Sequence, residues 1–92
     1  MSNVEFEACC KEELLQWYNN TYRHTYRSAA DELKADEVYV VWMSKTLQNN
    51  KALLATTRDD GLYFECTYNG DKHELYFDAY SKVCNMAISY DD

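Results

Sequence analysis

From Phe6 onward, apolar residues return at three- and four-residue steps: Phe6, Cys10, Leu14 and Trp17, with Leu15 and Tyr18 beside them. That spacing predicts an amphipathic helix with one packing stripe. Ser2-Asn3-Val4-Glu5 supplies its start, because the hydroxyl of Ser2 and the carboxylate of Glu5 can each satisfy a backbone donor of the other residue. Glu5, Glu7, Glu12 and Glu13 crowd the first half, and Arg23, His24 and Arg27 the end, which suits the helix dipole at both ends. The helix is expected over about residues 3 to 24. The polar stretch Thr25 to Asp36 follows. It is expected to be a loop or one exposed helical turn, and the most mobile part of the chain.

After Glu37 the pattern changes to short runs rich in Val, Tyr, Phe and Leu. Three turn signals cut them: Gln48-Asn49-Asn50, Asp59-Asp60-Gly61 and Asn69-Gly70-Asp71. The runs predict strands at Val38–Thr46, Lys51–Arg58, Leu62–Tyr68 and Lys72–Asp78, joined as a four-stranded antiparallel meander. Asn69-Gly70 reads as a two-residue type I′ loop, which needs positive φ at both positions. It sets Phe64 opposite Leu75, Leu62 opposite Phe77 and Cys66 opposite His73 on one face. On the other face it sets Tyr63 opposite Tyr76, Glu65 opposite Glu74 and Thr67 opposite Lys72. Treating Asp60-Gly61 the same way puts Leu53, Ala55 and Thr57 with Phe64, and Leu54, Thr56 and Arg58 with Tyr63. The first helix is expected to cover the Phe64 face.

The first strand is apolar on both sides: Val38, Val40 and Trp42 on one, Tyr39, Val41 and Met43 on the other. An edge strand of that kind needs a cover, from the last segment or from another chain. Tyr80, Val83, Cys84, Ala87 and Ile88 return at helical spacing, which predicts a short C-terminal helix. The fold class is therefore α+β, an N-terminal helix on a four-stranded antiparallel meander sheet with a short C-terminal helix. Residues 1–92 form a single domain.

Sixteen acidic against nine basic residues give a net charge of −7. That field repels nucleic acid, and no basic patch overrides it, so no direct nucleic-acid partner is expected. It favours a protein partner with a basic surface; its bland meaning is solubility. No apolar run approaches a membrane span and no signal peptide is evident, so a cytoplasmic protein without a membrane partner is expected. Cys9, Cys10, Cys66 and Cys84 have neither CxxC nor zinc spacing and read as small apolar residues. No metal and no cofactor is expected.

Two constellations bear on chemistry. Cys66 beside His73 has the residue types of a nucleophile and its base, but nothing in the pattern supplies an orienting group or an oxyanion site. A core pair is the plainer meaning. Glu65 opposite Glu74 has the form of a carboxylate pair, used in acid–base catalysis where a cleft surrounds it. The plainer meaning is two solvated carboxylates relieved by Arg58 or Lys72; the binding meaning is a pair awaiting a partner's Arg or Lys. No catalytic residue is assigned. The candidate interaction residues are Tyr39, Val41, Met43, Tyr63, Glu65, Glu74 and Tyr76, an aromatic patch with an acidic rim that the C-terminal helix, a protein partner or a homodimer would cover.

One stretch adds a resemblance. Val38-Tyr39-Val40-Val41-Trp42, Lys45-Thr46-Leu47-Gln48-Asn49-Asn50-Lys51-Ala52-Leu53, Asp60-Gly61-Leu62-Tyr63-Phe64-Glu65, Thr67-Tyr68-Asn69-Gly70-Asp71-Lys72 and Asp78-Ala79-Tyr80 resemble a family of small phage and prophage proteins classed as a domain of unknown function. The resemblance covers roughly the C-terminal half. It implies a mobile-element origin and a bacterial cytoplasm, and it carries no activity and no functional residue. The expected function is a small acidic non-enzymatic binding protein that inhibits or modulates a host or anti-phage-defence protein. The alternative is an assembly role through homo-oligomerisation.

Overall fold

Ser2 caps the first helix as its sequence predicts. Its Oγ accepts from the Glu5 N–H at 3.1 Å, and its own N–H donates to Glu5 Oε1 at 3.2 Å. In this computed structural model, residues 1–26 and 31–91 are described. Helix α1 spans Asn3–Trp17. The helical path then opens into one π-helical turn, Tyr18–Tyr22, before α2, Arg23–Tyr26. The buried row is Phe6, Cys10, Leu14 and Tyr18, in steps of four. Tyr18, not Trp17, is its fully buried last member, because its hydroxyl finds an acceptor in Asp60 Oδ2 at 2.9 Å. Trp17 sits half-buried beside it, stacked on Tyr22 and edge-on to Phe64.

The wide turn also aims Asn19 at the segment before the sheet. Asn19 Oδ1 accepts from the Leu33 N–H at 2.7 Å, and its Nδ2 donates to the Leu33 carbonyl at 2.9 Å. Leu33 is thereby seated in the core at 2% exposure, inside a stretch whose composition predicted a polar loop. Residues 27–30, on which part of the expected mobility falls, lie outside the described residues. One 3₁₀ turn, Ala35–Glu37, leads into the sheet.

Strands β1 (Val38–Thr46), β2 (Asn49–Thr56), β3 (Leu62–Asn69) and β4 (Glu74–Ser81) form an antiparallel meander in the order β1-β2-β3-β4, with the N-terminal helix on one face. The expected α+β class, helix and meander are what the chain adopts. The core joins the helix row to Leu33, Val38, Ala52, Leu54, Phe64 and Cys66.

Three expectations change. Thr57 to Gly61 connects β2 to β3, so Leu54 faces Phe64 and Ala52 faces Cys66. Leu54, Ala52 and Thr56 are therefore inside, and Leu53 and Ala55 lie outside, the reverse of the expected faces. Gly70 to His73 connects β3 to β4, so Phe64 faces Ala79, Cys66 faces Phe77 and Glu65 faces Asp78. Phe64, Cys66, Leu75 and Phe77 keep their common side, because the slip is an even number of residues. Finally, residues 82–91 take no regular secondary structure and are exposed, so the expected C-terminal helix is absent and covers nothing. Strand β4 runs through Tyr80 to Ser81 instead.

The entry to the sheet is clamped by Arg58. Its Nε and Nη2 donate to Glu37 Oε2 and Oε1 at 2.8 and 3.0 Å, and its Nη1 and Nη2 to the Asp31 and Glu32 carbonyls. The guanidinium, aided by the Lys34 N–H, holds the Glu37 carboxyl at about 2. An unfolded glutamate titrates near about 4.3. The clamp's contribution is thus complete above that value and is lost as pH falls toward the folded one. Thermal midpoints are expected to drop between about pH 5 and about pH 2, and less steeply in Glu37→Gln than in the parent. Equal slopes in the two proteins would remove Glu37 from the account.

Candidate protein-interaction face

The helix covers one face of the sheet, and the other face is open. Its residues follow from the strand period and from one irregularity. Register in β1 shifts between Val40 and Trp42, leaving Val41 as the extra residue of a bulge. Past the bulge the phase inverts: Trp42 comes opposite outward-facing Leu53, and Met43 opposite buried Ala52. Met43 therefore packs against the core and leaves the expected interaction set. Trp42, 44% exposed, takes its place on the open face.

Of the other expected residues, Tyr39, Val41, Tyr63, Glu65, Glu74 and Tyr76 all belong to the open side. Tyr39 and Val41 are about half exposed, at 49% and 51%. Tyr63 stacks on Tyr80, a cross-strand neighbour that β4 brings in by running further than expected, with ring centroids 5.1 Å apart. Tyr39, Val41, Leu53, Ala55 and Tyr63 line an open groove of about 500 Å³, with Arg58 and Lys82 at its margin.

The acidic groups sit toward β4. Glu65 is paired in register with Asp78, not with Glu74. Opposed carboxylates repel; Lys51 Nζ, 3.5 Å from Glu65 Oε1, relieves this pair. Asp78 raises the Tyr80 phenol above its ordinary value, and Glu74, which accepts the Tyr76 hydroxyl at 2.7 Å, does the same to Tyr76. Rings and carboxylates thus share one uncovered surface. Trp42, Leu53, Asp78 and Tyr80 complete it; of these Asp78 was legible in advance as part of the acidic rim, two positions from Tyr76 in the expected strand, whereas Tyr80 was expected in the C-terminal helix.

The Cys66–His73 pair does not form. Cys66 is buried opposite Phe77, while His73 is exposed in the turn, its Nδ1 3.3 Å from the Tyr68 hydroxyl. The neighbour of Cys66 is Cys10: their hydrogen bond, and then burial, push the Cys10 thiol up, away from the reactive thiolate. Cys9 is half-buried and Cys84 exposed. Among the described residues no cluster of His, Cys, Asp and Glu could hold a metal ion. A second depression, lined by Asp31, Glu32, Lys34, Asp36, Glu37 and Arg58, is the clamp already described. Among the described residues no helix is long and apolar enough to cross a membrane.

No curated protein and no solved structure matches the chain. A family model matches residues 7–90, most of the N-terminal helix included, and the chain belongs to that family, the family of unknown function DUF6275.

Proposed function

We propose that the chain is a small acidic, non-enzymatic binding protein of phage origin. It works in the bacterial cytoplasm by laying its open sheet face on the basic surface of a host or anti-phage-defence protein, which it inhibits or modulates. The observation that carries this reading is the union of outward-facing rings and carboxylates on one face: exposed Tyr39, Trp42, Tyr76 and Tyr80 and half-buried Tyr63, beside Glu65, Glu74 and Asp78. Tyrosine and tryptophan bury large areas at interfaces while keeping a polar tip wet. Carboxylates accept charge-assisted bonds from Arg and Lys. The net charge of −7 speeds encounter with a basic surface. The phage origin rests on the resemblance of the Val38–Leu53 and Asp60–Lys72 stretches.

Reversing the two opposed carboxylates tests it. Affinity capture from host lysate, read by mass spectrometry, names the candidate; titration of the purified candidate then compares parent with Glu65→Lys/Asp78→Lys. Affinity is expected to fall at least about tenfold, one step of about 1.4 kcal/mol. Equal affinity for both proteins would sink the acidic-surface reading. The second reading, assembly through homo-oligomerisation, is favoured by a different part of the molecule.

A further inference from the structure

Residues 83–90 read Val-Cys-Asn-Met-Ala-Ile-Ser-Tyr. Cys84, Met86, Ile88 and Tyr90 alternate with Asn85, Ala87 and Ser89, the period of a strand with one apolar side. The chain here is exposed and unpaired: Val83 is 98%, Met86 71%, Ile88 66% and Tyr90 84% exposed. The reason is topological. The last bond of the β3–β4 ladder is the Lys82 N–H to the Gly61 carbonyl at 2.7 Å. Beyond it β3 has already turned away into Thr57–Gly61, so the arm outruns its only neighbour. The Cα radius of gyration, 14.9 Å, exceeds the about 12 Å of a compact chain of this length, as a projecting arm requires.

We infer that this arm is a donated strand: in a two-fold dimer, residues 83–90 of each copy pair antiparallel with the free edge of β4 in the other. Three observations choose a second copy and this edge. The arm grows out of the very strand whose outer edge is unpaired, so one two-fold operation satisfies both arms and both edges. Strand β4 keeps unbroken register from Glu74 to Ser81, whereas the opposite edge strand, β1, is interrupted by the bulge at Val41. Charge points the same way. Strand β4 carries Glu74 and Asp78, and laying one β4 on another would set carboxylates against carboxylates. The arm has no charged side chain between Lys82 and Asp91, so it lies on β4 without that repulsion. Counted on from β4, the even-numbered apolar residues of the arm share the side of Tyr76 and Tyr80. The pairing therefore sets Met86 and Ile88 among those rings and makes one continuous eight-stranded core sheet with an arm strand at each junction. The dimer needs no third protein and stands apart from the identity of any partner.

The full chain is expected to scatter light as a dimer, twice 10.9 kDa, at micromolar concentration. On an edge only every second N–H faces the neighbour, so Met86→Pro/Ala87→Pro removes a pairing donor whichever phase the arm adopts. That variant keeps the core intact, since no arm residue belongs to it, and is expected to weaken the dimer at least tenfold. Trp42→Ala, on the far strand, is expected to leave the dimer unchanged. Amide exchange in residues 83–90 is expected to slow as concentration rises. A monomeric parent overturns the inference. So does a dimer that survives the double proline, one that Trp42→Ala dissociates, or arm protection that does not depend on concentration.

Discussion

Leu54→Asp is expected to abolish folding, and Leu53→Asp to leave the domain folded. The two neighbours differ only in the face they occupy. Leu54 has 0% exposure and lies in register between Val40 and Phe64, beneath the helix. Losing its burial costs about 1.5–3 kcal/mol. A carboxyl with no hydrogen-bond partner in that place adds a penalty of several kcal/mol more, whether it ionises or takes up a proton. Together these approach the whole stability of a small domain, about 5–15 kcal/mol. Leu53 is half-buried on the open face between Trp42 and Glu65. A carboxylate there meets Glu65 across the ladder, a repulsion of at most about 1 kcal/mol. Circular dichroism and thermal melting separate the outcomes. A folded Leu54→Asp beside an unfolded Leu53→Asp would mean that β2 is turned over.

That pair of leucines also marks where local pattern stops being informative. The capping box, the strand Val38–Thr46 and the order of the meander are local or nearest-neighbour properties, and all were legible. The phase of β2 depends on distant groups. Asp60 was expected to sit in a two-residue loop; instead its Oδ1 accepts from the Leu62 N–H and its Oδ2 from the Tyr18 hydroxyl. The Thr57 N–H bonds the Glu37 carbonyl, and the Arg58 N–H bonds Thr56 Oγ1. These partners hold the connection open over Thr57–Gly61, and an odd change in loop length inverts every side chain of β2. The turn after β3 also differs, spanning Gly70–His73, but the register there slips by four residues, an even number, so Tyr63, Glu65, Glu74 and Tyr76 stay on the open face while their partners change. Met43 was lost to a bulge that neither Gly nor Pro announces in β1. The C-terminal segment shows the same limit: Val83, Cys84, Ala87 and Ile88 fit a helix by spacing, yet residues 82–91 take no regular secondary structure and lie exposed, because helical spacing alone does not hold a short helix that has no surface to pack against.

Gly70→Ala is expected to destabilise the domain by about 3 kcal/mol, the upper end of overpacking, and to lower the melting midpoint by more than about 10 °C. The ends of two hairpins meet at Gly70. A Cβ built there would stand 2.2 Å from the Gln48 carbonyl oxygen and 2.7 Å from the Gln48 Cβ. The contact is fixed from both sides: the Gly70 N–H donates to Asn49 Oδ1 at 3.1 Å, and the Gln48 amide donates to the Asp71 carboxylate. Asn69 Oδ1 accepts from the N–H groups of Asp71 and Lys72, which stiffens the turn further. The Asn69-Gly70 signal suggested a glycine needed for positive φ, yet the glycine with positive φ is Gly61, at 72°. Gly70 is needed because two backbones approach each other. The distinction is measurable. Gly61 has open space around it, so Gly61→Ala carries only the left-handed backbone penalty of about 1–2 kcal/mol. Adding Gln48→Gly to Gly70→Ala removes the 2.7 Å side-chain contact and leaves the carbonyl in place. It should therefore recover little stability. Full recovery in that double variant would show that the side chain of Gln48, and not its backbone, sets the need for glycine.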